Sequence, residues 1–204
     1  MIPFSTCLVG NAPVTENHGA LIDQSDLVIR LNKAFGLAGV NGMRTTHLFL
    51  INCGGQMGEW LESDAFSQMP ALASRPRILL PIHPAKDDWI QPPLSAAERA
   101  DPAGANHAPA ALARLAALGF SAELIAPDLF ARALEVIGQP FDRRTTNAPS
   151  TGLIALLWAL ATDPCPIGVF GFGFEGWAGH RWDREADFFQ SHADTGRIIL
   201  HPAR

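Results

Sequence analysis

Two residues near the carboxyl end of the chain, His180 and Glu185, have the types needed to move a proton. An imidazole takes a proton near neutral pH, and a carboxylate beside it orients or polarises the ring. A helix starting near Asp183 would bring the two close together. By itself the pair is equally a solvated or core-satisfied histidine beside an unrelated acid. Three asparagines, Asn11, Asn32 and Asn52, each follow an apolar run. An amide that both donates and accepts can read a base edge or a sugar hydroxyl, although any single strand-end Asn is also an ordinary turn residue. The stretch Asn147-Ala148-Pro149-Ser150-Thr151-Gly152 precedes a wholly apolar run, and Gly171-Phe172-Gly173 closes the next one. Ser150 reads as a helix N-cap, because Pro149 disfavours helix upstream. No Glu or Gln stands at Leu153, so no local capping box fills the first N–H groups, and the helix start is free to receive an anion, although the same pattern is that of an ordinary capped core helix.

The elements around these residues must therefore place strand ends and one helix start together. Phe4–Val9, Asp26–Leu31, His47–Ile51, Arg77–Ile82 and Ile167–Phe170 are short apolar runs that end in Asn, Gly or His, the signature of buried strands. Helices are expected around Glu59–Ala65, Ala110–Leu118, Leu129–Ile137 and Leu153–Ala161, with a short strand at Glu123–Ala126. Leu153, Ile154, Leu156, Leu157, Trp158 and Leu160 surround the helix axis, which marks that helix as buried on all sides. Alternating strands and helices predict an α/β fold with a mostly parallel central sheet and helices on both faces. In such sheets the ligand crevice lies outside the carboxyl ends of the strands, where the asparagines converge if their strands are parallel neighbours. Residues 84–109, rich in Asp, Pro, Ala and Gly, read as a surface loop or lid.

A chain of 204 residues is sized for a single domain, 1–204. The net charge of −5, with no Lys/Arg cluster, gives no field to gather nucleic acid. The start lacks the basic and apolar regions of a signal peptide, and the longest apolar run is too short to span a membrane. The expectation is a cytoplasmic protein without a transmembrane segment. Three cysteines, Cys7, Cys53 and Cys165, have no metal-ligand spacing and suit reduced thiols. There is no phosphate-cradling Walker loop, no Gly-rich dinucleotide fingerprint, no His-Glu-x-x-His helix and no Asp-x-Asp, which narrows the field of ligands.

Taken in order, these segments resemble the eukaryotic-type sialyltransferase family. The large sialylmotif is similar to Cys7-Leu8-Val9-Gly10-Asn11, then Ile22 through Asn32, then Gly42-Met43-Arg44-Thr45-Thr46-His47. The small motif is similar to Pro149-Ser150-Thr151-Gly152 through Gly171-Phe172-Gly173, and the very small motif to His180 and Glu185. The terminal Arg197-Ile198-Ile199-Leu200 reads as the strand with which family members tend to end. The resemblance implies a Rossmann-like GT-A variant that uses a CMP-sugar as substrate and needs no metal. It places Asn11 and Asn32 on the phosphate and nucleotide sugar, and Ser150, Thr151 and Gly152 on the donor at the helix start. Gly171, Phe172 and Gly173 would border the cytidine, and His180 would be the general base in an inverting transfer.

The donor sugar implied is sialic acid or Kdo, both 2-keto acids activated as CMP conjugates. The acceptor would be a glycan or lipid-linked saccharide, with peripheral contact to a membrane, as for a bacterial-style soluble transferase of polysaccharide biosynthesis. The chain departs from the family in one motif. Family members carry a His, followed by aromatics, that stabilises the leaving phosphate, but only Phe174-Glu175-Gly176-Trp177-Ala178-Gly179 separates Gly173 from His180. His18, His47, His83 and Arg143-Arg144 are the candidates to replace it. The alternative is a CMP- or glycan-binding member with little or no turnover. The family's disulfide between the large and small motifs is not expected either, because Cys7 and Cys165 are each displaced by one residue.

Overall fold

The computed structural model describes residues 4–102, 104–139 and 147–203. Seven strands, β1 (Thr6–Val9), β2 (Leu27–Leu31), β3 (His47–Phe49), β4 (Arg77–Leu80), β5 (Ala122–Leu124), β6 (Ile167–Phe170) and β7 (Ile198–His201), form one sheet of order β5-β4-β3-β2-β1-β6-β7. Every neighbouring pair is parallel, so the sheet is wholly rather than mostly parallel. The chain winds from β1 to β5 on one side and then returns to place β6 and β7 on the other. The order therefore reverses between β1 and β6, and a crevice opens there at the carboxyl edge.

The helices are α1 (Gly19–Asp23), α2 (Gly55–Glu62), α3 (Ala65–Gln68), α4 (Ala96–Arg99), α5 (Ala108–Ala117), α6 (Pro127–Val136), α7 (Thr151–Thr162) and α8 (Trp182–Asp194). The expected strands and long helices are present, with boundaries shifted by a few residues. Both α5 and α6 begin earlier than the apolar pattern suggests, because each takes a proline into its first turn, where the missing N–H costs nothing. Residues 84–109 are not a bare loop. They hold a 3₁₀ turn at Pro84–Asp88, α4 with its own Ser95/Glu98 capping box, and the first residues of α5.

The helix α7 is the buried pillar of the fold. Leu153, Ile154, Ala155 and Leu156 are fully buried in the main core, and each such Leu or Ile contributes about 1.5–3 kcal/mol. Its far end is pinned to the amino edge of the sheet, where the Asp163 carboxylate accepts from the hydroxyls of Ser5 and Thr6 beside β1. Arg197 donates to the Asp163 and Cys165 carbonyls and so satisfies that helix end with a cation. The helix thus runs antiparallel to the strands and delivers its start, Ser150, to the carboxyl edge.

The buried Arg30 of β2 donates to the carbonyls of Asn41, Gly42 and Arg44, while the Asp23 carboxylate accepts from the N–H groups of Met43 and Arg44. Burial pulls the Arg30 guanidinium down to about 10. These two side chains fold the 41–44 turn against β2, which explains their place in the sequence without any ligand. Cys7, Cys53 and Cys165 are free thiols. Burial pushes Cys7 up to about 11 and Cys53 up to about 12, so both stay protonated and inert at neutral pH. Among the described residues no helix is long and apolar enough to cross a membrane.

Candidate active site

The carboxyl ends of β1 and β6 approach so closely that neither could carry a side chain at its turn. A Cβ on Gly10 would lie 2.2 Å from the Gly171 carbonyl oxygen, and Gly171 itself adopts φ +67, a left-handed value that glycine takes without strain. Gly10 N–H donates to the Phe170 carbonyl, and Ala12 N–H donates to the Gly171 carbonyl. Two backbone turns are thereby fused into one floor, above which lies a cleft of about 620 Å³.

Nine of the ten residues expected at the site line this cleft: Asn11, Asn32, Ser150, Thr151, Gly152, Gly171, Phe172, Gly173 and His180. Asn11 Nδ2 donates to the Leu31 carbonyl, which fixes the amide's orientation and leaves Oδ1 buried without a partner. A buried acceptor of this kind calls for a donor such as a hydroxyl or an amine. Asn32 closes β2 with φ 52 and accepts from Ile51 N–H, so its carbonyl oxygen is engaged with β3. Asn52 does not join them. It is fully buried and knits the end of β3 to Ile82 and Asn106 through both halves of its amide, a structural role.

The helix start differs from the expectation in what fills it. Ser150 Oγ does cap α7 by accepting from Leu153 N–H. Its hydroxyl and its own N–H, however, both donate to the carboxylate of Glu185. The capping box that the local sequence lacks is completed by an acid from α8, 35 residues away. Glu185 is therefore not hydrogen-bonded to His180, and the orienting role expected of it passes to another group. Ser150 thus spends its hydroxyl inside the protein, on Glu185 and on Leu153 N–H. Burial raises the Glu185 carboxyl above the usual range, partly offset by the two Ser150 bonds.

His180 is oriented by the chain itself. Its Nδ1 lies 2.6 Å from the Ala148 carbonyl, and a carbonyl only accepts, so Nδ1 carries the proton and Nε2 the lone pair. Ala148 N–H donates to the Gly179 carbonyl, which ties the segment before α7 to the loop before α8. Trp177 and Trp182 meet the imidazole edge-on, with ring centroids 4.8 and 4.7 Å away. Burial lowers the His180 pKa, opposed by the Ala148 bond, so the ring is neutral at pH 7. A neutral imidazole with a fixed tautomer can accept a proton. The only sequence signal for the two tryptophans is their spacing, three before and two after the histidine.

Phe172 packs against Gly152, where a Cβ would come within 2.7 Å of its ring, and against Phe189 of α8 at 4.9 Å. Its place at the cleft wall thus depends on both helices. None of the three described candidates for a phosphate-stabilising group reaches the cleft. His18 packs on Phe170 and His201, His47 at the start of β3 packs at a tilt on Trp158, and His83 accepts from Ala85 N–H to cap a 3₁₀ turn. Arg143-Arg144 lie outside the described residues. No described residue of 84–109 lines the cleft, and no group of three or more His, Cys, Asp or Glu side chains converges among the described residues.

A search of curated proteins finds no match. Among solved structures, a mammalian sialyltransferase superposes with TM-score 0.60 at 18% identity, over 98% of this chain and 69% of the other. A mammalian sialyltransferase in complex with Gal-beta-1-3GalNAc-ortho-nitrophenol superposes with TM-score 0.58 at 17% identity, over 99% and 70%. These likenesses establish the GT-A-like fold. The family description "Glycosyltransferase family 29 (sialyltransferase)" matches residues 3–194, which takes in every described residue that lines the cleft and leaves out β7. The chain belongs to this family and is a glycosyltransferase of the sialyltransferase type.

Proposed function

We propose that the chain transfers a sialic acid, or a Kdo-like 2-keto acid sugar, from a CMP-sugar to a glycan hydroxyl, with inversion, without a metal, and with His180 as general base. The observation that carries this reading is the fixed tautomer of a neutral imidazole lining the cleft at the β1/β6 reversal. Nε2 takes the proton of the acceptor hydroxyl while that oxygen bonds to the anomeric carbon from one face. The bond from that carbon to the phosphate oxygen breaks on the other, and CMP leaves with the electron pair. General-base help of this kind is worth about 10²–10⁴-fold.

Asn11 Oδ1 suits a donor on the nucleotide, such as a ribose hydroxyl or the cytosine amine. The N–H groups of Thr151 and Gly152, at the positive end of α7, suit the phosphate. Gly171, Phe172 and Gly173 border the base, and Glu185 positions α7 against α8 rather than touching substrate. Glu175 is the only acidic side chain among the described residues that line the cleft, which supports a phosphate held by N–H donors rather than by a carboxylate-bound cation.

The test offers CMP-sialic acid and CMP-Kdo with a galactose-terminated disaccharide, the sugar pair held by the second structural neighbour. CMP release and the anomeric configuration of the product are followed by NMR, with and without EDTA. Inverted product that forms in EDTA and vanishes in His180→Ala supports the reading. The described cleft lining holds no Lys, no Arg and no His other than His180. CMP binding with no CMP release would therefore favour a binding member of the family.

A further inference from the structure

A second cleft, of about 540 Å³, is lined by the segment that follows β2. Asn32 lines the first and Lys33, the next residue, lines the second. Its walls are the segment after β2 and the α2–α3 region. Trp60 forms a floor at 2% exposure, whereas the Phe35 ring stands 61% exposed beside it. Glu59, Gln68 and Lys33 bring polar ends to the same cleft, and no ion pair joins Lys33 to Glu59 although both line it.

The backbone that presents Phe35 is bent at a cost. Asn32, Ala34 and Ala38 have φ values of 52, 50 and 80, a region that alanine rarely adopts. The bend is held by Asn32 N–H to the Phe49 carbonyl and Ala34 N–H to the Leu31 carbonyl. It buries Ala34 and leaves its neighbour Phe35 outward. One exposed ring face beside unpaired polar side chains matches a saccharide, whose C–H faces stack on aromatics and whose hydroxyls donate and accept at the edges.

We propose that this second cleft binds the non-reacting sugar residues of the acceptor glycan, with Phe35 as stacking platform and Lys33, Glu59 and Gln68 as hydroxyl partners. This rests on the transfer reading above, since it makes the acceptor an oligosaccharide that extends from the reacting hydroxyl near His180 past Asn32 into the second cleft. Binding energy gained there is the same in the ground state and the transition state, so it appears in KM.

The test compares wild type with Phe35→Ala and Lys33→Gln on galactose, a galactose-terminated disaccharide and a galactose-terminated tetrasaccharide, with CMP-sialic acid as donor. Wild type is expected to prefer the tetrasaccharide, and each variant to raise its KM by about tenfold, about 1.4 kcal/mol, with kcat and transfer to galactose unchanged. Saturation-transfer NMR of the tetrasaccharide in the presence of CMP reads binding without turnover. Tetrasaccharide binding that Phe35→Ala abolishes, in an enzyme that transfers nothing, keeps the subsite and overturns the transfer reading instead. An unchanged length preference in both variants overturns the subsite, as does an equal loss on galactose, a loss of CMP affinity, or no tetrasaccharide binding by wild type.

Discussion

Glu185 on α8 accepts both the backbone N–H and the hydroxyl of Ser150, so the start of α7 is completed by an acid from another helix. Replacing Glu185 by Ala leaves two buried donors unpaired, at about 1–3 kcal/mol each. Glu185→Ala is expected to lower unfolding free energy in urea by about 2–4 kcal/mol, and Glu185→Gln by less than about 1. The pH dependence has a defined sign. A buried acid whose folded pKa is raised stabilises most below its unfolded value near 4.5, and that contribution is lost as pH rises through the folded value. Glu185→Gln should flatten this slope; an unchanged slope would show that the carboxyl does not titrate above its unfolded value.

Ser150→Ala should act on folding before it acts on ligand. The hydroxyl caps Leu153 N–H and binds Glu185, so its loss is expected to cost about 1–3 kcal/mol of stability. CMP affinity, measured by calorimetry at a temperature where the variant is folded, should change by less than about threefold, or about 0.7 kcal/mol. A larger loss would place the hydroxyl on the nucleotide.

His180→Ala should reduce kcat by about 10²–10⁴-fold with CMP affinity preserved. Burial depresses the His180 pKa, so kcat should be level at neutral pH and fall only on an acid limb with apparent pKa below 6.5. A limb above 6.5 would mean that another group titrates. By linkage, the unfolded chain takes up more protons at this position, so its contribution to stability also falls as pH drops below 6.5.

The strand-end asparagines separate two effects. Asn11→Ala removes an acceptor with no protein partner and a single donor bond to the Leu31 carbonyl, and should weaken CMP binding by about tenfold with a smaller loss of Tm than Asn52→Ala. Asn52→Ala breaks bonds to Ile82 and Asn106 and should lower Tm with CMP binding intact. Swapped outcomes in calorimetry and thermal melts would reverse the two assignments.

Gly10→Ala tests the fused floor. A Cβ 2.2 Å from the Gly171 carbonyl must push β1 and β6 apart, at about 1–3 kcal/mol. CMP affinity should fall with stability, and a variant with wild-type Tm would show that the turns have room to part.

Much of this arrangement is local and therefore legible in sequence. Ser150 announces the start of α7 because Pro149 disfavours helix upstream and a wholly apolar run follows. The short apolar runs mark β1, β2, β3, β4 and β6 because each is buried. Asn11, Asn32 and Asn52 look alike in sequence, since each ends a strand. Only the neighbours brought by β2, β4 and the 106 turn show that Asn52 is bonded on both sides while Asn11 is not. The partner of Glu185 is likewise tertiary. Spacing pairs it with His180, five positions away, but helix α8 carries its carboxylate to Ser150, and the Ala148 carbonyl takes the imidazole instead. The second cleft has no periodic signature, because its walls come from a strained turn and the α2–α3 region.

The reversal of strand order between β1 and β6 also bears on how the chain reaches its active form. The contacts that bound the cleft join the first strand to the sixth, and the Ser5–Asp163 bond beneath them spans 158 positions. Contacts of such separation close late and slowly, because chain entropy must be lost before they are rewarded. The binding floor therefore exists only once β6 has docked beside β1. Any nucleotide that binds it adds its free energy to that final closure and to no earlier stage, so ligand binding reports on completed folding.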